Sequence, residues 1–97
     1  MDRNGYAPSI VGESDKCYIC GRTDRRIHRH EVYHGGNRTM SKNLGLWVNI
    51  CEHCHDQLHH HDASLDERLK REVQILAMEY YGWEADDFRR EIGKNYV

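Results

Sequence analysis

The sequence predicts a small α+β domain: a strand–loop–strand–helix unit closed by a bound metal ion, with two accessory helices after it. Three observations carry this. The only cysteines form two matching hooks, Cys17-x-x-Cys20 and Cys51-x-x-Cys54, on either side of two strand-like segments. Of the 97 residues, 38% are hydrophobic and 31% charged, so the apolar core is small and a metal can supply missing stability. After residue 62 the apolar residues recur at helical spacing.

Residues 1–16 carry Gly, Pro, Ser, Asn and Asp without periodicity and read as a flexible lead-in. Residues 17–61 form the metal-stapled core. Within it Ile27 to Tyr33 is a strand, ended by Gly35-Gly36-Asn37. Leu46 to Ile50 is a second strand, with Leu46, Val48 and Ile50 on one face, and Cys51 to His61 is a short helix. Trp47 is expected to pack against a helix. Residues 62–97 hold the accessory helices. Ser64 and Glu67 make a capping box, and Leu65, Leu69, Val73, Leu76 and Tyr80 form an apolar stripe. Gly82 stops that helix, and Glu84 to Ile92 forms another, closed by Gly93. Tyr80, Tyr81, Trp83 and Phe88 are expected to make a second small core between these two helices.

Two Cys-x-x-Cys hooks can supply four thiolates in the tetrahedron that Zn²⁺ prefers. Two disulfides or a redox pair are the competing accounts. The first suits an oxidising compartment, and the second leaves the duplication unexplained. Structural zinc on Cys17, Cys20, Cys51 and Cys54 is therefore expected, in a folding role, because four thiolates leave no open position.

There are eight histidines. His55 and His59 are four apart on the expected helix and can bind one metal. His28 and His30 share one face of the first strand. His60 and His61 rotate away from the His55 face.

A strand histidine, a Gly-Gly-Asn loop and a second strand running into Ile50-Cys51-Glu52-His53-Cys54-His55, with His59 beyond, resemble the motif of HNH (ββα-metal) endonucleases. The likeness spans residues 17–61. A weaker one, through Arg29-His30-Glu31, Asn37-Arg38 and Gly93-Lys94-Asn95-Tyr96, is to small HNH-type proteins of tailed phages. The resemblance implies a ββα-metal core and hydrolysis of DNA phosphodiesters with low intrinsic specificity. It implies His30 as general base and His55 and His59 as ligands of a catalytic Mg²⁺, Mn²⁺, Zn²⁺ or Ni²⁺. Asn37 would orient the base, with Asn43 its rival. The chain departs from the family at Arg29, where a metal-ligating Asp or His is usual; Glu31 and His28 are candidates to replace it. A catalytically degenerate zinc-stabilised nucleic-acid-binding or protein-inhibitor module is the alternative.

Net charge is −2, but between Arg22 and Lys42 six bases oppose two acids. A local basic patch suits phosphate, and Arg29, Arg38 and Lys42 are the candidate contacts. The expected partner is DNA, with other phage or host proteins if the phage likeness holds. No apolar run reaches membrane-spanning length, and no secretory signal is visible. The location expected is the cytoplasm, for a phage protein that of a bacterial host cell.

Overall fold

A computed structural model describes residues 4–97. In order, its elements are β1 (Ile27–Glu31), a 3₁₀ turn (Gly35–Asn37), α1 (Arg38–Leu44), β2 (Trp47–Cys51), α2 (Glu52–Asp56), a π-helical turn (Gln57–His61), α3 (Ala63–Tyr81) and α4 (Ala85–Ile92). The fold is α+β, as the sequence predicts. The strands are antiparallel, with Ile27 opposite Cys51, Arg29 opposite Asn49 and Glu31 opposite Trp47. Strand alternation then gives the sheet two unlike faces. His28, His30, Val48 and Ile50 share one, and Arg29, Glu31, Trp47 and Asn49 share the other.

The first face meets the helices. Val48 and Ile50 join Leu58 of the π turn, Leu69, Val73 and Ala77 of α3, and Phe88 and Ile92 of α4 in one buried core. The second face is covered by the segment before the first hook. Ala7 N donates to Lys42 O at 2.8 Å, Ile10 N to Gly45 O at 3.0 Å, and Ser9 Oγ to Trp47 O at 2.6 Å. Residues 7–10 are thus tied down by bonds to β2, α1 and Gly45 and are not the loose lead-in expected; residues 1–3 of that stretch lie outside the described residues. Trp47 also differs from expectation. Its indole Nε1 donates to Ala7 O at 2.7 Å and its ring meets Tyr6 edge-on, so it packs on the N-terminal segment. Burial of both faces explains why β2 reads as an almost unbroken apolar run.

Helix α1 was not foreseen, since Arg38–Leu44 offers only the pair Met40 and Leu44 as an apolar face and fully buries only Ser41. That hydroxyl accepts from Tyr33 N at 3.0 Å and donates to Tyr33 O at 2.8 Å, satisfying a buried backbone step where β1 ends. Gly45 closes α1 at φ 71°, and a Cβ there would lie 2.1 Å from Pro8 O. Only glycine meets both demands.

Two helix details correct the sequence reading. The N-cap of α3 is Asp62, whose Oδ1 accepts from Ser64 N at 3.1 Å and Leu65 N at 3.2 Å. Asp62 has the extended φ of −138° that a cap needs, whereas Ser64 is already helical. The buried stripe runs Leu69, Val73, Ala77 with Gln74 alongside, while Tyr80 is 66% exposed. Gln74 is the unexpected member: Nε2 donates to Asn95 Oδ1 at 2.6 Å and Oε1 accepts from Tyr96 N at 2.7 Å, pinning the C-terminus. Gly82 and Gly93 end α3 and α4 in the left-handed conformation, as expected. No separate second core forms between those helices. Phe88 packs edge-on against Tyr33 from beside the sheet, with ring centroids 5.2 Å apart, while Tyr81 stacks on Trp83 at the surface.

Candidate metal centres

The two hooks meet. One sulfur from each of Cys17, Cys20, Cys51 and Cys54 lies within 4.8 Å of every other, and Cys20 Sγ is 3.8 Å from Cys51 Sγ. A tetrahedral ion with metal–sulfur bonds of about 2.3 Å requires sulfurs roughly 3.8 Å apart, so the cluster is sized for zinc. All four are free thiols. Each hook folds onto its first sulfur: Cys20 N donates to Cys17 Sγ and Cys54 N to Cys51 Sγ, both at 3.4 Å. Burial pushes the Cys51 thiol up, but the Cys54 backbone and side chain, Arg25 and Cys20 more than offset it and bring it down to about 6. Cys54 is driven the other way by burial and its thiol neighbours. Thiolates this close need a counter-charge, which a divalent cation supplies.

A second group forms on the helix-facing side of the sheet. His30 comes from β1, His55 from α2 and His59 from the π turn, with one ring nitrogen of each within 4.8 Å of the others. His55 Nε2 and His59 Nε2 are 3.1 Å apart. His30 is 2% exposed, and its Nε2 has no hydrogen-bond partner. A buried ring nitrogen without a partner is rare unless an ion or water serves it. Burial first, then His55, His59 and His34, hold the His30 ring uncharged down to about 3. Burial and neighbouring histidines also lower His55 and His59. Three neutral imidazoles with converging nitrogens are a donor set for a divalent transition ion, with coordination positions left over.

The other sequence candidates fall elsewhere. Glu31 accepts hydrogen bonds from the Tyr6 hydroxyl and from Arg38 Nε, the latter at 3.0 Å, on the sheet face away from His30. It does not join the histidine group, which corrects the expectation that it could replace the missing ligand. Arg29 lies on that same face, its guanidinium 4.1 Å from the Tyr6 ring centre and 4.4 Å from that of Trp47. Arg29, Arg38 and Lys42 line one cleft together with Tyr6. Asn37 caps α1 by position, without a side-chain bond to the backbone it caps. His60 and His61 are exposed, as expected, and His61 pairs with Asp56 at 3.2 Å.

Three features of the histidine group escaped the sequence. His28 touches His55 from the far side, Nδ1 to Nδ1 at 3.1 Å. His34 stacks edge-on to His59 and reaches Asp66 of α3 at 3.5 Å, and Asp66 in turn pairs with Lys70 at 2.9 Å. The turn carrying His59 is π-helical, a geometry often found where a helix serves a site. No protein-family model, curated protein or solved structure matches the chain.

Proposed function

We propose that this chain is a metal-dependent endonuclease of the HNH type, hydrolysing DNA phosphodiesters on a zinc-stapled ββα core. The supporting observation is the convergence of a strand histidine, His30, with His55 and His59 beside a four-cysteine cluster. A plain zinc knuckle has no use for a second group of converging imidazoles, one of them buried. A divalent ion bound there would supply a Lewis acid for the phosphoryl oxygen and charge for the departing 3′ oxygen. His55 and His59 would hold it. Arg38 and Lys42, with Arg29, line a cleft on the face of the sheet opposite His30, so a phosphate they contact would lie away from the bond cut at the histidine group.

His30 serves this reading in one of two roles. As the base it would take a proton from the attacking water. As a third ligand it would take the place that Arg29 leaves empty in the family pattern. Its buried Nε2, without a hydrogen-bond partner and converging with the nitrogens of His55 and His59, favours the ligand role. Supercoiled plasmid incubated with Mg²⁺, Mn²⁺, Ni²⁺ or Zn²⁺ tests the activity: nicked or linear product is expected, abolished in His55→Ala and His59→Ala. His30→Ala assigns the role: cleavage lost with the ion retained means base, and both lost means ligand. No cleavage with any of the four metals would overturn the nuclease reading. The zinc-stabilised nucleic-acid-binding module would then stand, with Arg29, at the family's ligand position, stacked on Tyr6 and Trp47 and unable to hold a metal.

A further inference from the structure

His55 is engaged at both ring nitrogens, and the second contact carries an inference that rests on the metal reading above. Its Nε2 faces His59 Nε2 at 3.1 Å, and its Nδ1 faces His28 Nδ1, also at 3.1 Å, with the two rings nearly perpendicular at 89°. An imidazole that gives one nitrogen's lone pair to a cation carries its proton on the other. With Nε2 turned toward the ligand group, that proton sits on Nδ1, within hydrogen-bonding distance of His28. Two N–H groups cannot face each other at this distance, so His28 must present a lone pair and keep its own proton on Nε2.

We propose that His28 is a positioning residue for the metal site and not a ligand: it accepts the hydrogen bond from His55 Nδ1–H and so fixes the tautomer and ring plane that aim Nε2 at the ion. The fold supports the assignment. His28 sits opposite Ile50 in the sheet, two residues before His30 on the same face, so its position is set by strand pairing. It is outside the group whose nitrogens converge, which comprises His30, His55 and His59. An imidazole acceptor orients its partner without adding charge beside the ion, as a carboxylate would. Acceptors of this kind are typically worth about 10–100-fold in metal affinity.

The experiment uses the full chain with its cysteine site filled, titrated with Co²⁺ as the probe. His28→Ala and His28→Leu should bind Co²⁺ about 10–100-fold more weakly, with zinc content and melting temperature near wild type. His28→Gln, whose amide oxygen can accept the same hydrogen bond, should recover most of the loss. Nitrogen-15 spectra of the imidazoles, recorded before Co²⁺ is added, should show His55 protonated on Nδ1 in the wild type and as a mixture of tautomers in His28→Leu. Wild-type affinity in His28→Leu, beside a large loss in His59→Ala, would overturn the positioning role and leave the metal site standing. A loss in His28→Gln as deep as in His28→Leu would also overturn it and make His28 a ligand. A wild-type protein that takes no second ion would overturn both readings together.

Discussion

Cys20 offers a clean test of the cysteine site, because it is the one exposed member of the four. Replacing Cys17, Cys51 or Cys54 removes buried atoms and would destabilise the protein with or without a metal. Cys20→Ser removes no core packing. Were the cluster only four packed thiols, this surface change would shift stability by no more than about 0.5 kcal/mol. A zinc site predicts otherwise. Structural zinc contributes roughly 10–16 kcal/mol of binding free energy, so losing one of four ligands should cost about 3 kcal/mol or more. In a domain of this length that lowers the melting temperature by at least about 10 °C. Thermal unfolding of wild type and Cys20→Ser, each with and without a strong chelator, measures it, together with zinc released per chain. The wild type should hold one zinc and melt far lower once stripped, whereas the variant should respond little to chelator. Equal melting temperatures and equal zinc content in the two proteins would refute the site.

Three further outcomes follow from particular contacts. Gly45→Ala should destabilise by more than about 1 kcal/mol, since the new Cβ meets both a left-handed backbone and Pro8 O; denaturant unfolding measures it. Glu31 is raised by burial but lowered more by hydrogen bonds from Tyr6, its own backbone and Arg38, so its folded pKa lies below its unfolded one. Its contribution is therefore present above the unfolded value and lost as pH falls through the folded value; a Glu31→Gln variant should lack that part of the acid unfolding curve. Lys42→Ala should weaken DNA binding about equally for all sequences and reduce the slope of log affinity against log salt by about 0.9, if Lys42 contacts a phosphate; fluorescence anisotropy over a salt series checks this.

The features legible in the sequence were those set by short-range spacing. Two Cys-x-x-Cys hooks, an i, i+4 histidine pair and glycines at helix ends state their roles within a few residues. What was not legible depended on chain segments distant in sequence. Nothing around Ser9 announces that its hydroxyl bonds to Trp47 O, 38 residues on, so the N-terminal segment read as loose. Tyr80 fitted a stripe of four- and three-residue steps, but it stands one residue from the end of α3 and is 66% exposed, while the buried run ends at Ala77. Strand alternation alone points Glu31 away from His30 unless β1 twists there, and β1 keeps its regular alternation, with the even-numbered face turned toward α2.

The two candidate metal centres are mechanically one device. Cys54 and His55 are consecutive, and α2 is five residues long, too short to hold itself together in isolation. Its geometry comes from its ends. At the start, Cys51 Sγ accepts from Cys54 N, and the cysteine cluster clamps both residues to the first hook. At the far end, Asp62 N donates to Gln57 O at 2.7 Å, closing the wider π turn. That turn keeps Leu58 in the core while His59 faces His55. An imidazole site tolerates displacements of only about 0.5 Å, a precision that a free five-residue helix cannot supply. The cysteine cluster thus helps set the direction in which the next residue, His55, leaves the backbone. Placing that cluster directly beside His55 lets a chain of 97 residues bring three histidines together without a large core.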